Sequence, residues 1–401
     1  MIFILKPVVV FNSGLLCFYT EYFVSFVSEK LNRLRCKNFF INPLLFAYFF
    51  SRFACSEDSS LPESPNRTNQ VQRAQPVQPD PTGPTGPVYD PTADWMTILL
   101  TEHDDRAISL KNICLPRAHD AGMYALTTCT IGANACNTQT QDLNMTKMLQ
   151  KGVRNFDIRP VLAGGIYFTQ HKTGCEDALG CRGDRIVNIL QQTKDFVEEH
   201  SELVILDFSH FCDIESLDAG LQELVNTTLG DRLYKESTSF SNNLAERDLN
   251  TIIPPSEGKG KVIIVYEGVS NTPENRANGV FSYSYLPVSG SYANSFDVDV
   301  MIADQQSKYS SFDHASNRLF EISWTLTLNE ELSIACAFTI FDPPGIEHYA
   351  NIARGRLEGT ITDMMTDGSI AKNKIPNLIG IDFADEFVTE QCLRISEMNL
   401  E

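Results

Sequence analysis

Positive charge is scarce in this chain. It has 32 Lys and Arg against 51 Asp and Glu, a formal net charge of −19. That balance speaks against nucleic acid as a partner, because such binding rests on Lys and Arg neutralising phosphates. It also speaks against electrostatic docking on anionic membranes. No Gly-rich phosphate loop follows any apolar run, so the signature of a dinucleotide fold is missing. The 11 cysteines include no C-x-x-C pair and have no histidine cluster beside them, so a zinc site is not indicated. Internal repeats are absent, and no cofactor is expected.

What is there is a long chain with a distinct front end. Its 401 residues, 43% of them hydrophobic, suffice for one domain of about 250–300 residues plus extensions, or for two ordinary domains. Residues 1–55 carry six Lys/Arg against two Glu and two apolar stretches, "IFILKPVVVFNSGLLCFY" and "FFINPLLFAYFF". The second follows the basic "KLNRLRCK" and precedes "RFACSEDSS". Basic, apolar, small and then polar is the order of a secretory signal, with cleavage expected near Ala54–Ser56. An uncleaved anchor is the alternative. Residues 56–94 are rich in Pro, Gln, Ser and Thr and read as a disordered spacer. A globular part is expected over 95–401. Eight cysteines lie beyond residue 55, and two pairs are close, Cys129 with Cys136 and Cys175 with Cys181. Disulfides at those two pairs are expected, in a secreted or lumenal protein. Sequons at Asn66, Asn144 and Asn226 could carry glycans but add little.

Beyond residue 95, short apolar runs alternate with helical patterns. The runs are "ICLPRAH", "VRNFDIR", "GIYFTQH", "LVILDFSH", "KVIIVYEG", "VDVMIADQ", "RLFEISWTLT" and "NLIGIDFAD". Several are nearly continuous, as strands covered on both faces are. In "DRIVNILQQTKDFVEEH", Ile186, Ile189, Leu190, Phe196 and Val197 share one helical side, and the segment leads straight into "LVILDF". Strand, helix and strand in succession suggest a parallel sheet with crossovers. Eight candidate strands fit an α/β fold of the irregular TIM-type (β/α) barrel kind; a doubly wound open sheet is the alternative.

Polar residues collect where these runs stop. His119 and Asp120 follow the first, and Asp157 and Arg159 lie in the second. His171 ends the third, Ser209 and His210 the fourth, and Asp382 and Asp385 flank the last. In a barrel such ends converge on one mouth. Two histidines with neighbouring carboxylates supply a base and an acid, and an Arg supplies a bidentate partner for phosphoryl oxygens. That set fits phosphodiester cleavage. With no evident covalent nucleophile, a hydroxyl of the substrate is the economical attacker. Taken singly, each piece has a plainer reading as a turn contact, a salt bridge or a loop start.

Taken in order, "LPRAHDAG", "GVRNFDIRP", "FTQH" and "EEHSELVILDFSH" resemble the X domain of phosphatidylinositol-specific phospholipases C. "ISWTLT" and "NLIGIDFAD" resemble its late strands, so the resemblance covers roughly residues 95–390 of the globular part. It implies the single-domain, bacterial-like branch and a barrel PLC-like phosphodiesterase. It implies that His119 is the base for an inositol 2-hydroxyl, and that His171 is the acid for diacylglycerol, oriented by Asp120. Arg159 would bind phosphate in place of a metal, with Asp157 two residues before it. Asp382 would partner His119, with Asp385 second. Bacterial members carry a Lys on the fourth strand and an Arg after the fifth. This chain has Ser209 or His210 and then Tyr266 and Glu267 at those points, and Ser209, His210 and Tyr266 are the expected substrate contacts. The expected partner is a phospholipid at a membrane interface, met by a monomer. The readings held against this one are a glycosylated inositol lipid or a non-inositol phosphodiester as substrate, a non-catalytic lipid- or glycan-binding barrel, and a metal-dependent glycerophosphodiester-type barrel.

Overall fold

The computed structural model describes residues 89–175, 178–236, 240, 242–338 and 343–401. The expected signal or anchor, Asn66 and nearly all of the expected spacer lie outside the described residues. At the end of that spacer, Ala93 and Asp94 are already buried.

The strands in chain order are β1 Leu115–Ala118, β2 Thr128–Cys129, β3 Asn155–Ile158, β4 Pro160–Ala163, β5 Ile166–Lys172 and β6 Gly180–Arg185, then β7 Leu203–Phe208, β8 Lys261–Tyr266, β9 Val280–Ser282, β10 Val288–Ser289, β11 Leu319–Ser323 and β12 Leu378–Ile381. Eight of them form a curled sheet in the order β10-β11-β12-β1-β3-β7-β8-β9, every neighbouring pair parallel. The other four form an antiparallel side sheet, β2-β6-β5-β4. The α/β barrel expectation is thereby met, in the irregular form.

Two of the expected barrel strands are something else. "GIYFTQH" is β5 of the side sheet. "VDVMIADQ" opens the helix Val298–Ser310. Its Val/Asp alternation imitates a strand for four residues, but its buried residues are Met301, Gln305 and Tyr309, four apart. Asp297 caps it by accepting from the amides of Asp299 and Val300. The strands in their place, β9 and β10, are three and two residues long, too short to show a period.

The runs are continuous because both sheet faces are covered. Ala118, Phe156, Ile158, Val204, Leu206, Phe208, Ile264 and Ile379 face one core. Helices Ile186–Glu199, Ala219–Leu229, Ile346–Thr366 and Glu386–Leu400 supply its other side. The alternate residues Leu115, Leu203, Ile205, Ile263, Val265, Phe281, Leu319 and Leu378 face a second core with Trp95, Met96 and Leu99 of the helix Trp95–Glu102. Each buried Leu or Ile contributes about 1.5–3 kcal/mol. Arg154, the first Arg of "GVRNFDIR", ties that helix down. Its side chain and that of Glu202 are fully buried and pair at 2.9 Å, and Glu202 also accepts from the Thr97 amide at 2.7 Å.

The disulfides differ from expectation. Among the described residues they are Cys129–Cys181, Cys136–Cys336 and Cys175–Cys212, while Cys114 and Cys392 are free and buried. Cys129 and Cys181 are opposed in the β2–β6 ladder, so sheet register and not sequence proximity chose the pair. Three disulfides accord with an oxidising compartment. No helix among the described residues is long and apolar enough to cross a membrane.

Candidate active site

The second core turns polar toward the C-terminal ends of the strands. A lower tier holds Arg117, which pairs with Asp207 and Asn155 and lies 3.5 Å from Glu321. Burial works against the charge of Arg117, but Glu321 and Asp207 outweigh it and raise its pKa. Burial raises the carboxyls of Asp207 and Glu321 as well. The sequence reading missed this tier. Its residues stand two before His119 and two before Ser209, so period-two counting inward from the mouth would have found them.

One step up lie His119, Asp157, Arg159, Ser209 and Asp382. His119 follows β1 directly, and its carbonyl accepts from Gln141 Nε2 at 2.7 Å. Its Nδ1 is 2.8 Å from Asp382 Oδ1, and its Nε2 is 2.9 Å from Arg159 Nη2. Arg159 also pairs with Asp120 and, at 3.1 Å, with Asp157 Oδ2. Burial opposes the charge of Asp157, but Arg159 and Arg117 outweigh it and hold that carboxyl well below the usual range. Ser209 Oγ donates to Asp157 Oδ1 at 3.0 Å and lies 2.9 Å from His210 Nδ1.

Asp120 occupies the hub. Its carboxylate is buried, with Oδ2 lying 3.6 Å from His119 Nε2 and 3.5 Å from His171 Nδ1. Its φ of 43° is a left-handed conformation rare outside glycine. The small residues that follow let the side sheet come close. A Cβ on Gly122 would lie 2.2 Å from Thr169 Oγ1 of β5. That approach carries His171 to the mouth, with its ring 6.4 Å from that of His119. His171 therefore arrives from the side sheet and not from the end of a barrel strand. Its Nδ1 donates to the Thr138 carbonyl at 3.1 Å.

The two rings are tuned in opposite directions. Burial disfavours the charged form of His119, but Asp120 and Asp382 overcome it and push its pKa up to about 9. Burial pushes His171 below its ordinary value against the pull of Asp120, and Arg159 and His119 add to the depression.

Two expected residues lie elsewhere. Tyr266 is fully buried on the outward face, its OH 3.4 Å from Gln222, and does not reach the mouth. Strand alternation gives the inward position to its neighbour Glu267, whose carboxylate accepts from the His210 amide at 2.7 Å. Asp385 caps the last helix and pairs with Arg354 at 2.7 Å. Ser209 is brought into the cluster, and the exposed His210 stands at its rim.

His119, Asp120 and Asp157 bring three ligand atoms within 4.8 Å of one another, a spacing that could hold a metal ion. Arg159 lies against both carboxylates, so a cation and the guanidinium would compete for the same oxygens.

No family model matches the chain. Among curated proteins it is similar to PI-PLC X domain-containing protein 3 of Danio rerio, with 28% identity over 170 residues, 35% of this chain and 49% of that protein. The match thus spans about half the length of that relative. Among solved structures it is similar to the phosphatidylinositol-specific phospholipase C of S. aureus, with TM-score 0.52, 16% identity, and coverage of 76% of this chain and 97% of that one. The phosphatidylinositol-specific phospholipase C from Listeria monocytogenes gives TM-score 0.51, 15% identity, and coverage of 76% and 98%. These likenesses show the fold. The X-domain resemblance read from the four segments is borne out by the curated relative and by the barrel.

Proposed function

We propose that this chain is a phosphoric diester hydrolase. It cleaves phosphatidylinositol-type lipids through attack by the inositol 2-hydroxyl, giving diacylglycerol and a cyclic inositol phosphate. The observation that carries the reading is the pair of imidazoles 6.4 Å apart, bridged by one buried carboxylate that also holds Arg159. His119 Nε2 takes the proton of the 2-hydroxyl as that oxygen bonds to phosphorus. Arg159 donates to the phosphoryl oxygens and offsets their growing charge. The bond from phosphorus to the glycerol oxygen breaks, and His171 gives that oxygen a proton. Because the Thr138 carbonyl engages Nδ1 of His171, the proton is delivered from Nε2. Asp382 accepts from Nδ1 of His119 and so puts the lone pair of the neutral ring on Nε2, where Arg159 now lies at 2.9 Å and the 2-hydroxyl takes its place. A slower second step hydrolyses the cyclic phosphate with the two roles reversed.

The head group is the less constrained part. Ser209, His210 and Glu267 stand where the bacterial pattern has a Lys and an Arg, so the polyol contacts differ. A glycosylated inositol lipid is the second reading on that ground. The setting proposed with the reaction is a monomer at a membrane surface outside the cytosol, its N-terminus a signal or anchor, with no nucleic-acid partner.

The test is turnover by the full-length chain of phosphatidylinositol, a glycosylated inositol lipid and phosphatidylcholine, each in excess chelator. Cleavage of an inositol lipid without added metal is expected. Activity on phosphatidylcholine alone would overturn the substrate. A loss of more than about tenfold in chelator, equal to about 1.4 kcal/mol of barrier, restored by calcium, would overturn the role of Arg159.

A further inference from the structure

Beside the two histidines, on the β12 side, lies an open groove of about 630 Å³. One wall is the short helix Ala135–Thr138 with Gln139, and the other is Pro343–His348, which leads into helix Ile346–Thr366. The Cys136–Cys336 disulfide lines it. The two walls touch at Gly345, where a Cβ would lie 2.5 Å from the Cys136 carbonyl oxygen. Phe383 also lines the groove, from a backbone at φ 54° that residues with a side chain rarely adopt.

The groove adjoins the partners of both histidines. Phe383 is the residue after Asp382, which holds His119. Gln139 is the residue after Thr138, whose carbonyl holds His171. The chemistry differs on the two sides of β1. Toward β7 and β8 stand Ser209, His210 and Glu267, groups suited to a polyol. Toward β12 the groove is lined by Phe383, two prolines, Ala135 and the disulfide, with Gln139 and the exposed Glu347 and His348 as its polar side chains. The volume falls within the range of about 300–1,000 Å³ usual for small-ligand pockets.

We infer that this groove receives the hydrocarbon of the acylglycerol leaving group; the inference rests on the proposed reaction. A chain leaving His171 along Gln139 and Phe383 passes from the phosphoryl site onto the apolar part of the groove wall, Phe383, the two prolines and the disulfide, without crossing Ser209, His210 and Glu267. Each methylene taken from water there tightens binding about fourfold until the groove is full.

The test uses the full-length chain and two variants that fill the groove from opposite walls, Ala135→Trp and His348→Trp. Calorimetry with 1,2-dihexanoylglycerol reads the groove without turnover. Binding by wild type and at least tenfold weaker binding by both variants is expected. With monodisperse phosphatidylinositols of four to eight carbons per chain, KM should fall with length in wild type and stay flat in the variants. Hydrolysis of cyclic inositol phosphate, which has no acylglycerol, should be unchanged. Equal diacylglycerol affinity and equal chain-length dependence in wild type and both variants, with unchanged melting, would overturn the groove. Diacylglycerol binding that the variants lose, with no turnover of any inositol substrate by wild type, would support the groove and overturn the proposed reaction.

Discussion

At the scale of residues, the two histidines are distinguished by what each ring holds. His119 is held between Asp382 and Arg159, and His171 between Asp120 and a backbone carbonyl. If His119 is the base, its loss slows every substrate, because a hydroxyl attacks poorly until deprotonated. If His171 is the acid, its loss matters when the leaving oxygen needs a proton. General acid catalysis is worth about 10²–10⁴-fold, so His171→Ala should cost about that much on the lipid and far less on an inositol nitrophenyl phosphate. His119→Ala should fail on both. Rescue of His119→Ala by the good leaving group, with none for His171→Ala, would reverse the assignment.

The pH profile follows from the same contacts. Below the lowered pKa of His171 both rings are charged and no base remains; above about 9 both are neutral and no acid remains. Between those limits the pair carries one proton, which rests on His119 in the free protein and must stand on His171 for the proposed roles, so kcat/KM should be level between the limits and fall on both sides. Asp382→Asn removes a carboxylate that raises His119 and should move the alkaline limb to lower pH. An unmoved limb would separate that titration from His119. Most of this cluster was legible in the sequence, because polar groups that end apolar runs are costly to bury elsewhere. Tyr266 was misread because adjacent strand residues point to opposite faces, and only the sheet says which faces inward.

At the scale of elements, strands of four or more residues with both faces covered announced themselves, and the shorter β9 and β10 did not. The helix at Val298 was mistaken for a strand because four alternating residues satisfy both periods. The side sheet was not anticipated, and with it went the disulfides. Two cysteines six or seven residues apart can pair locally only if the chain turns back between them. Here Cys129 runs along β2 and meets β6. Non-reducing peptide maps should show Cys129–Cys181, Cys136–Cys336 and Cys175–Cys212. Cys114 and Cys392, buried with their sulfurs 3.3 Å apart, should react with alkylating reagent only after unfolding. A map with Cys129–Cys136 in place of Cys129–Cys181 would contradict the β2–β6 register.

At the scale of the whole molecule, the barrel depends on closing its lower end with the helix Trp95–Glu102, and the Arg154–Glu202 pair makes that contact. Removing one partner of a buried pair strands the other charge and typically costs about 3–5 kcal/mol. Arg154→Leu should therefore lower the urea midpoint strongly. Arg154→Leu with Glu202→Leu should recover much of the loss. A single variant as stable as wild type would remove the pair from the account. The sequence by itself pointed to an α/β fold and, through the resemblance of its ordered segments to the X domain, to the two histidines, Arg159 and the carboxylates around them. Apolar period, strand ends and the expense of burying charge brought out the strands and the polar residues at their ends, and the resemblance chose among the readings those rules allow. Only the tertiary structure decided which residues face inward, that His171 comes from a side sheet, and which cysteines meet. Those depend on register and on contacts between segments far apart in the chain, and no local pattern of side chains encodes them.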